Sequence, residues 1–499
     1  MPFPVSLFSD WPPRRLWLAL AAIILPVAYL SLFYRMGSAP VHLWDESRLG
    51  LSALEMLNNG NWLVTTVQNQ PDLWSPKPPL LIWVQAGLFW AFGANEVTLR
   101  LPSALAGLAT AGLLVWFGAR VLKSPLTGLL SALVLLTTNG YVDYHVTRNG
   151  DYDAPLVFFT TWYVLSFYQY LETGQRRQLW HTGIGIVLAV LTKSVAGALF
   201  LPALVLYAAL RRQLLPLLRR REVYAMAAGV VVAVGAYYVS RELVAPGYWK
   251  AVYESDLGGR LLSDLSKNGV VTTWTWYLDM LVHDELLPWL YVFPLGFLAL
   301  LHPAAPRPYR HLALLIFLVV GLLLTVISSA QTKFFWYEAP IYPFCALLTG
   351  AGLALLAEGL LRLLGSERRP WLPLPLLLCV FAYPLTVVWR ESFQPAPAPD
   401  LLFGQHLRQQ AREFGQLTTY SLLSGIGYNS SMEFYRLAAV RNYGHDVRTR
   451  YAWQIREVQV GETVIVCNPD TRAKLDSIYS TTPVFGGEPC VTLLVTGLK

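Results

Sequence analysis

About eleven apolar runs, separated by short charged or proline-rich links, divide the first 389 residues of this chain. In hydrocarbon every backbone N–H and C=O has to be satisfied within the protein, so only helices and closed barrels can span a membrane. Runs near 20 residues select helices. They fall at about 16–36, 100–122, 125–142, 154–172, 180–192, 194–210, 222–241, 286–302, 312–328, 338–358 and 371–389. Composition agrees: 55% of residues are hydrophobic and 14% charged, where a soluble domain carries roughly 25% charged residues. The sequence therefore predicts an α-helical polytopic membrane protein. No small-residue cleavage site follows the first run, so 16–36 reads as an uncleaved span.

Some runs are short: the pair 180–192 and 194–210 is short for two full crossings, which leaves its boundary near Lys193 open. Pro79 to Phe92 offers about 14 apolar residues, below the roughly 20 that a crossing needs, and reads as an interfacial helix. Charge placement supports this. With 79–92 on the surface, Arg14/Arg15, Arg120/Lys123, Arg176/Arg177, Arg211/Arg212, Arg219–Arg221, Arg307/Arg310 and Arg362/Arg368/Arg369 all fall on one side. That is the positive-inside pattern, and it places the N-terminus in the cytoplasm. The net charge of +7 then belongs to these loops and does not point to nucleic acid.

Two outer loops are long. The first, 37–99, holds a second surface helix over Glu46–Leu57, stopped by Gly60. The other, 242–285, carries Tyr248, Trp249, Trp274, Trp276 and Tyr277 like an interfacial aromatic belt. Residues 1–389 thus form one membrane domain. After a Pro/Ala linker at 394–399, residues 390–499 form a small extracytoplasmic α/β domain, helical over 401–414 and strand-like at 462–467 and 490–496. Cys467 and Cys490 lie in this domain and could pair in an oxidising compartment.

The ionisable residues at the outer span ends carry the chemistry. Asp45 and Glu46 open the first surface helix, where acids cap well. They could equally include a general base, one acting while the other caps or orients. Asp151 and Asp153 sit beside Arg148 just before a span; capping explains Asp153, and the pair could also hold an acceptor or a hard cation. Lys77, Lys193 and Lys333 each lie at an outer boundary. One such lysine snorkels; three together favour an anion such as phosphate, with Arg260 and Tyr337 as further donors. His42, His145 and His283 show no metal-ligand spacing. No cofactor is expected, and a divalent metal has no support beyond the acids themselves.

Acids for a base and cations for a lipid phosphate, on a face where nucleotide sugars are not expected, suggest sugar transfer from a polyprenyl-phosphate donor. A transporter or flippase of a lipid-linked substrate is the alternative; it would want charges near the midplane and internal repeats, and neither is visible.

The order of motifs also resembles a known family. Asp45-Glu46 follows the first span, Lys77-Pro78 precedes a short apolar helix, and Phe92-Gly93-Ala94-Asn95 precedes Arg100 at a span start. Asp153, Leu191-Thr192-Lys193 and Lys333-x3-Tyr337-x2-Pro340 follow. Over roughly residues 40–345 this resembles the GT-C membrane glycosyltransferases, nearest to bacterial aminoarabinose transferases of lipid A and protein mannosyltransferases. The resemblance implies an outer cavity roofed by two surface helices, with Asp45 as base and Asp153 on the acceptor side. It implies donor-phosphate contacts at Lys77, Lys193, Arg260, Lys333 and Tyr337, leaving Glu46, Asp151 and Arg148 in supporting roles. Pro76 replaces a glutamate that helps hold zinc in the family, so no metal is carried over. The expected activity is inverting transfer to a lipid, glycan or protein hydroxyl at the periplasmic face of a bacterial inner membrane.

Overall fold

A computed structural model describes residues 12–143, 145–259, 273–303, 305–363, 374–393, 401–413, 415, 417–425 and 427–499. The chain divides into two compact units. One comprises Met1–Tyr34, Leu73–Leu80 and Ser103–Gln394; the other comprises Arg35–Asp72, Leu81–Pro102 and Pro395–Lys499.

Among the described residues six helices are long and apolar enough to cross a membrane: Arg14–Phe33, Glu96–Arg120, Arg176–Ala198, Arg221–Val244, Arg307–Ser329 and Phe335–Leu361. The chain is an integral membrane protein. Other apolar runs form shorter helices, among them Leu80–Phe92, Leu201–Leu210 and Val292–Leu301. The run expected at 125–142 differs: it forms Pro125–Leu135 and a separate turn, Asn139–Val142. The Thr137 and Thr138 hydroxyls donate back to the Leu133 and Val134 carbonyls, a local bond that competes with helix continuation.

Small residues let helices of the first unit touch. A Cβ on Gly118 would stand 2.3 Å from the Gly128 nitrogen, and one on Gly352 2.4 Å from Gly296 Cα. Such close approach is how helices associate where lipid supplies no hydrophobic drive. The pair that matters most is Asp153–Thr173 and Arg176–Lys193. Gly174, at φ 69°, caps the first helix in the left-handed region and turns the chain back. At about 1.5 Å per residue the 21- and 18-residue helices run similar lengths, so the residue that starts one ends up beside the residue that ends the other.

The second unit gathers residues 35–72 and 81–102 with the C-terminal segment. The helix Asp45–Asn59 ends at Gly60, φ 70°, and a short hairpin follows, β1 (Thr66–Val67) and β2 (Gln70–Pro71). Five more strands make one sheet: β3 (Thr419–Ser424), β4 (Asp446–Tyr451), β5 (Thr463–Val466), β6 (Tyr479–Gly487) and β7 (Cys490–Leu498), in spatial order β4-β3-β5-β7-β6. The central strands pair in parallel through the crossover helix Ser430–Tyr443, and β5, β7 and β6 pair antiparallel. Leu423, Val464, Val466, Leu475 and Leu493 form the core. Cys467 and Cys490 form a disulfide at the end of the β5–β7 pair.

The crossover helix is also the platform for the segments around Val41–Ser47 and Ala94–Glu96. Ser47 Oγ meets Ser430 Oγ at 2.7 Å, Ser431 Oγ donates to the Val41 carbonyl, and Tyr435 Oη donates to Glu96 at 2.6 Å. The Asn442 amide both accepts from Ala94 N–H and donates to its carbonyl. Gly50 is required here, since a Cβ would lie 2.7 Å from the Phe434 ring.

Candidate active site

In the first unit a cavity of about 130 Å³ is lined by Lys77, Asp153, Lys193, Asp256 and Tyr337, with Leu156, Val195, Leu199, Phe200, Leu323 and Ile327 among its apolar walls. Four residues singled out in the sequence therefore share one wall. Its volume is below the roughly 300–1,000 Å³ of a drug-sized site, so it suits a head group and the start of an apolar chain.

Each polar side chain arrives by a separate route. Lys193 Nζ donates to Asp153 Oδ1 at 2.5 Å, the two being 8% and 1% exposed as side chains. Ser194, directly after Lys193, takes φ 51°, ψ −131°, a sparsely populated conformation for a side-chain-bearing residue. Asp153 Oδ2 is buried with no hydrogen-bond partner among the described residues. Lys77 lies with Nζ 4.8 Å from the Tyr152 ring centroid, a cation–π contact. The carbonyl of the preceding Pro76 accepts 2.8 Å from Tyr248 Oη, and Arg241 sits over the Tyr248 ring. Tyr337 belongs to the 3₁₀ segment Phe335–Ile341 and lies 5.9 Å below Lys193 Nζ. The site so built can neutralise an anion, accept hydrogen bonds at its carboxylates, and shelter an apolar tail.

Other expected residues stand elsewhere in this unit. Lys333 is absent from the cavity wall; its ammonium donates 3.0 Å to the Thr273 carbonyl. Arg148 donates to the Ser31 and Tyr34 carbonyls and ties down the end of the first span. Asp151 accepts from Tyr152 N–H at 2.6 Å and faces His145, whose ring stacks on Trp336. Arg260 lies outside the described residues. At Pro76, where the resemblance would put a glutamate, the chain offers only a backbone carbonyl, and it accepts from Tyr248 Oη.

The acidic pair at 45–46 lies in the second unit, and its two members differ. Glu46 is 1% exposed and salt-bridged to Arg100 at 2.6 Å. Burial alone would raise its carboxyl, but the Arg100 guanidinium, helped by the His42 N–H, holds it below the ordinary value of 4.5. Asp45 is the first residue of its helix and is half-buried. Trp44 before it takes φ 74°, strained for an aromatic residue.

Neither Asp256 nor the role of Arg100 is marked in the sequence by a motif. Asp256 lies in the π-helical segment Tyr253–Gly259 with no motif around it. Arg100 read only as the opening of a span, although an arginine at a span start four residues after Glu96 could have prompted a search for an acidic partner.

A family model described as dolichyl-phosphate-mannose-protein mannosyltransferase matches residues 76–238. An uncharacterized protein of Aquifex aeolicus is 34% identical over 188 residues, 37% of this chain and 36% of that one. An undecaprenyl phosphate-α-4-amino-4-deoxy-L-arabinose arabinosyl transferase of Erwinia tasmaniensis is 27% identical over 66% of this chain. The chain spans 59% of that relative's length. Among solved structures, ArnT from Cupriavidus metallidurans bound to undecaprenyl phosphate superposes with TM-score 0.69 at 17% identity, covering 97% of this chain and 98% of that one. The archaeal oligosaccharyltransferase AglB from Archaeoglobus fulgidus, in complex with an inhibitory peptide and a dolichol-phosphate, gives 0.57 at 13% identity over 86% and 64%. The chain resembles the GT-C glycosyltransferases, as its motif order suggested, and it has their fold.

Proposed function

We propose that a chain with this fold is a glycosyltransferase that moves a sugar from a polyprenyl-phosphate donor to an acceptor hydroxyl. The observation that carries the reading is the one cavity shared by Lys77, Asp153, Lys193 and Tyr337, with two lysines in its lining and apolar walls. Such a cavity matches a ligand with an anionic head and a hydrocarbon tail. Undecaprenyl phosphate in ArnT and dolichol-phosphate in AglB are ligands of that kind.

In this reading the acceptor oxygen bonds to the anomeric carbon as the bond from that carbon to the phosphate oxygen breaks. The sugar inverts, because nucleophile and leaving group occupy opposite faces. The acceptor proton passes to a carboxylate, the role that the motif order gives to Asp45. The departing phosphate carries the developing charge, which the lysines stabilise in place. The reacting face is periplasmic in a bacterial inner membrane. The arginine-rich loops favour that orientation, and so does the Cys467–Cys490 disulfide in the C-terminal segment.

The test is transfer itself. Purified protein in nanodiscs, given undecaprenyl-phosphate-linked aminoarabinose or mannose with lipid A or a peptide as acceptor, should release undecaprenyl phosphate together with a glycosylated acceptor. In proteoliposomes, movement of an intact lipid-linked sugar across the bilayer without cleavage would overturn the reading in favour of a transporter.

A further inference from the structure

One group in the cavity has no part in that scheme. Asp256 lines the same wall as Lys77, Lys193 and Tyr337, and its Oδ2 is buried with no hydrogen-bond partner among the described residues. A buried carboxylate oxygen without a donor is costly, more so when the group is charged. Such an atom persists where a ligand supplies the missing donor.

The chemistry of the cavity narrows what that donor is. The phosphate cannot be the partner, since like charges brought together in a poorly hydrated pocket repel; it belongs with the lysines. The polyprenyl tail has no donor. What remains of a lipid-linked sugar is the sugar ring. We propose that Asp256 is a specificity-determining residue that accepts a hydrogen bond from a ring hydroxyl of the donor sugar, holding the ring at the opposite end of the head group from the phosphate. This inference rests on the donor reading above. It assigns the segment Tyr253–Gly259 to sugar selection. A site built to bond a substrate hydroxyl discriminates strongly against ligands that lack it, because its own polar group is then left unpaired.

Binding with and without the sugar separates the two ideas. Full-length protein in nanodiscs is titrated with undecaprenyl phosphate, then with undecaprenyl-phosphate-linked aminoarabinose and mannose. Asp256→Ala should leave affinity for bare undecaprenyl phosphate unchanged. It should weaken the sugar-charged lipid that the wild type prefers by roughly 10- to 100-fold, the loss of one hydrogen bond to a charged acceptor. Asp256→Asn keeps the shape and one acceptor oxygen, should fold where the alanine variant does not, and should show a smaller loss of the same kind. Equal weakening of bare and charged lipid, or no weakening of either, overturns the assignment to the sugar. A wild-type protein that binds none of the three lipids overturns the donor reading itself.

Discussion

The two units each bury an ion pair of one acid and one base, and the pairs are built in opposite ways. In the second unit all five donors of Arg100 are engaged: Nε and Nη2 on Glu46, Nη1 on the Met36 and Ala39 carbonyls, and Nη2 also on the Pro40 carbonyl. Glu46 takes His42 N–H as well. In the first unit Lys193 reaches one oxygen of Asp153, while the other oxygen is buried with no partner among the described residues. A saturated pair fixes backbone, here the segment 36–42 that leads into Asp45. An open pair leaves hydrogen-bonding capacity that a ligand can use, and a lysine ammonium, unlike a guanidinium fork, presents a rotatable point charge suited to phosphate.

Removing one partner from each pair should therefore give different failures. Arg100→Met strands the buried Glu46 carboxylate and frees three carbonyls, so we expect about 3–5 kcal/mol of destabilisation. It would be read as a lowered melting temperature and faster amide exchange near Asp45. A melt that matches the wild type would show the pair to be dispensable. Lys193→Met should instead reduce transfer by about 10²–10³ in kcat, the effect of losing one preorganised electrostatic contact, in protein that still inserts. Asp153→Asn should keep the shape and lose the charge, with most of the same activity loss. If Lys193→Met lowered stability as much as Arg100→Met does and spared turnover, the contrast drawn here would be wrong.

Acid sharpens the contrast in the saturated pair. Because Glu46 titrates below its ordinary value of 4.5 in the folded protein, the stability it contributes is fully present above that value. It is lost as pH falls through the lower folded value. Melting followed from pH 7 to pH 3 should hold steady and then fall within the acid range. Glu46→Gln should remove that acid step while lowering the plateau. A step that survives in the variant would have to come from another carboxylate, and Glu462 is the first to examine, since Arg450 and Ser421 hold it below its ordinary value against the effect of burial.

What the sequence could reveal follows from the range of the interactions. Apolar runs, the Gly60 stop and the terminal positions of Asp153 and Lys193 are local, and a 3.6-residue period or a span length exposes them. Two consecutive antiparallel helices then bring Asp153 and Lys193 together with no further information. Arg100 and Glu46 lie 54 positions apart, and Ser47 meets Ser430 across 383. No local pattern encodes such pairs, so the joining of the first outer loop to the C-terminal sheet was invisible. Lys333 shows the converse. It shares a boundary position with Lys77 and Lys193, but a boundary position does not set direction, and its ammonium turns to the Thr273 carbonyl.

That difference among the lysines supplies the two smallest effects. Tyr248 acts on Lys77 only through backbone: its hydroxyl donates to Pro76, the residue before the lysine, while its ring packs against Tyr237 and Arg241. Tyr248→Phe keeps the ring and deletes the bond, removing about 0.5–1.5 kcal/mol. If the bond serves to hold Lys77 over Tyr152, the loss should weaken undecaprenyl phosphate binding by about 2- to 10-fold and leave the melting temperature nearly unchanged. An equal drop in stability with unaltered affinity would make the tyrosine structural only. Lys333→Ala lies beyond even this indirect reach. It should leave donor affinity unaltered and change stability by no more than about 0.5 kcal/mol, as an exposed surface change does. A clear loss of affinity there would mean that the ammonium leaves Thr273 when donor binds, and the cavity wall would have to be redrawn to include it.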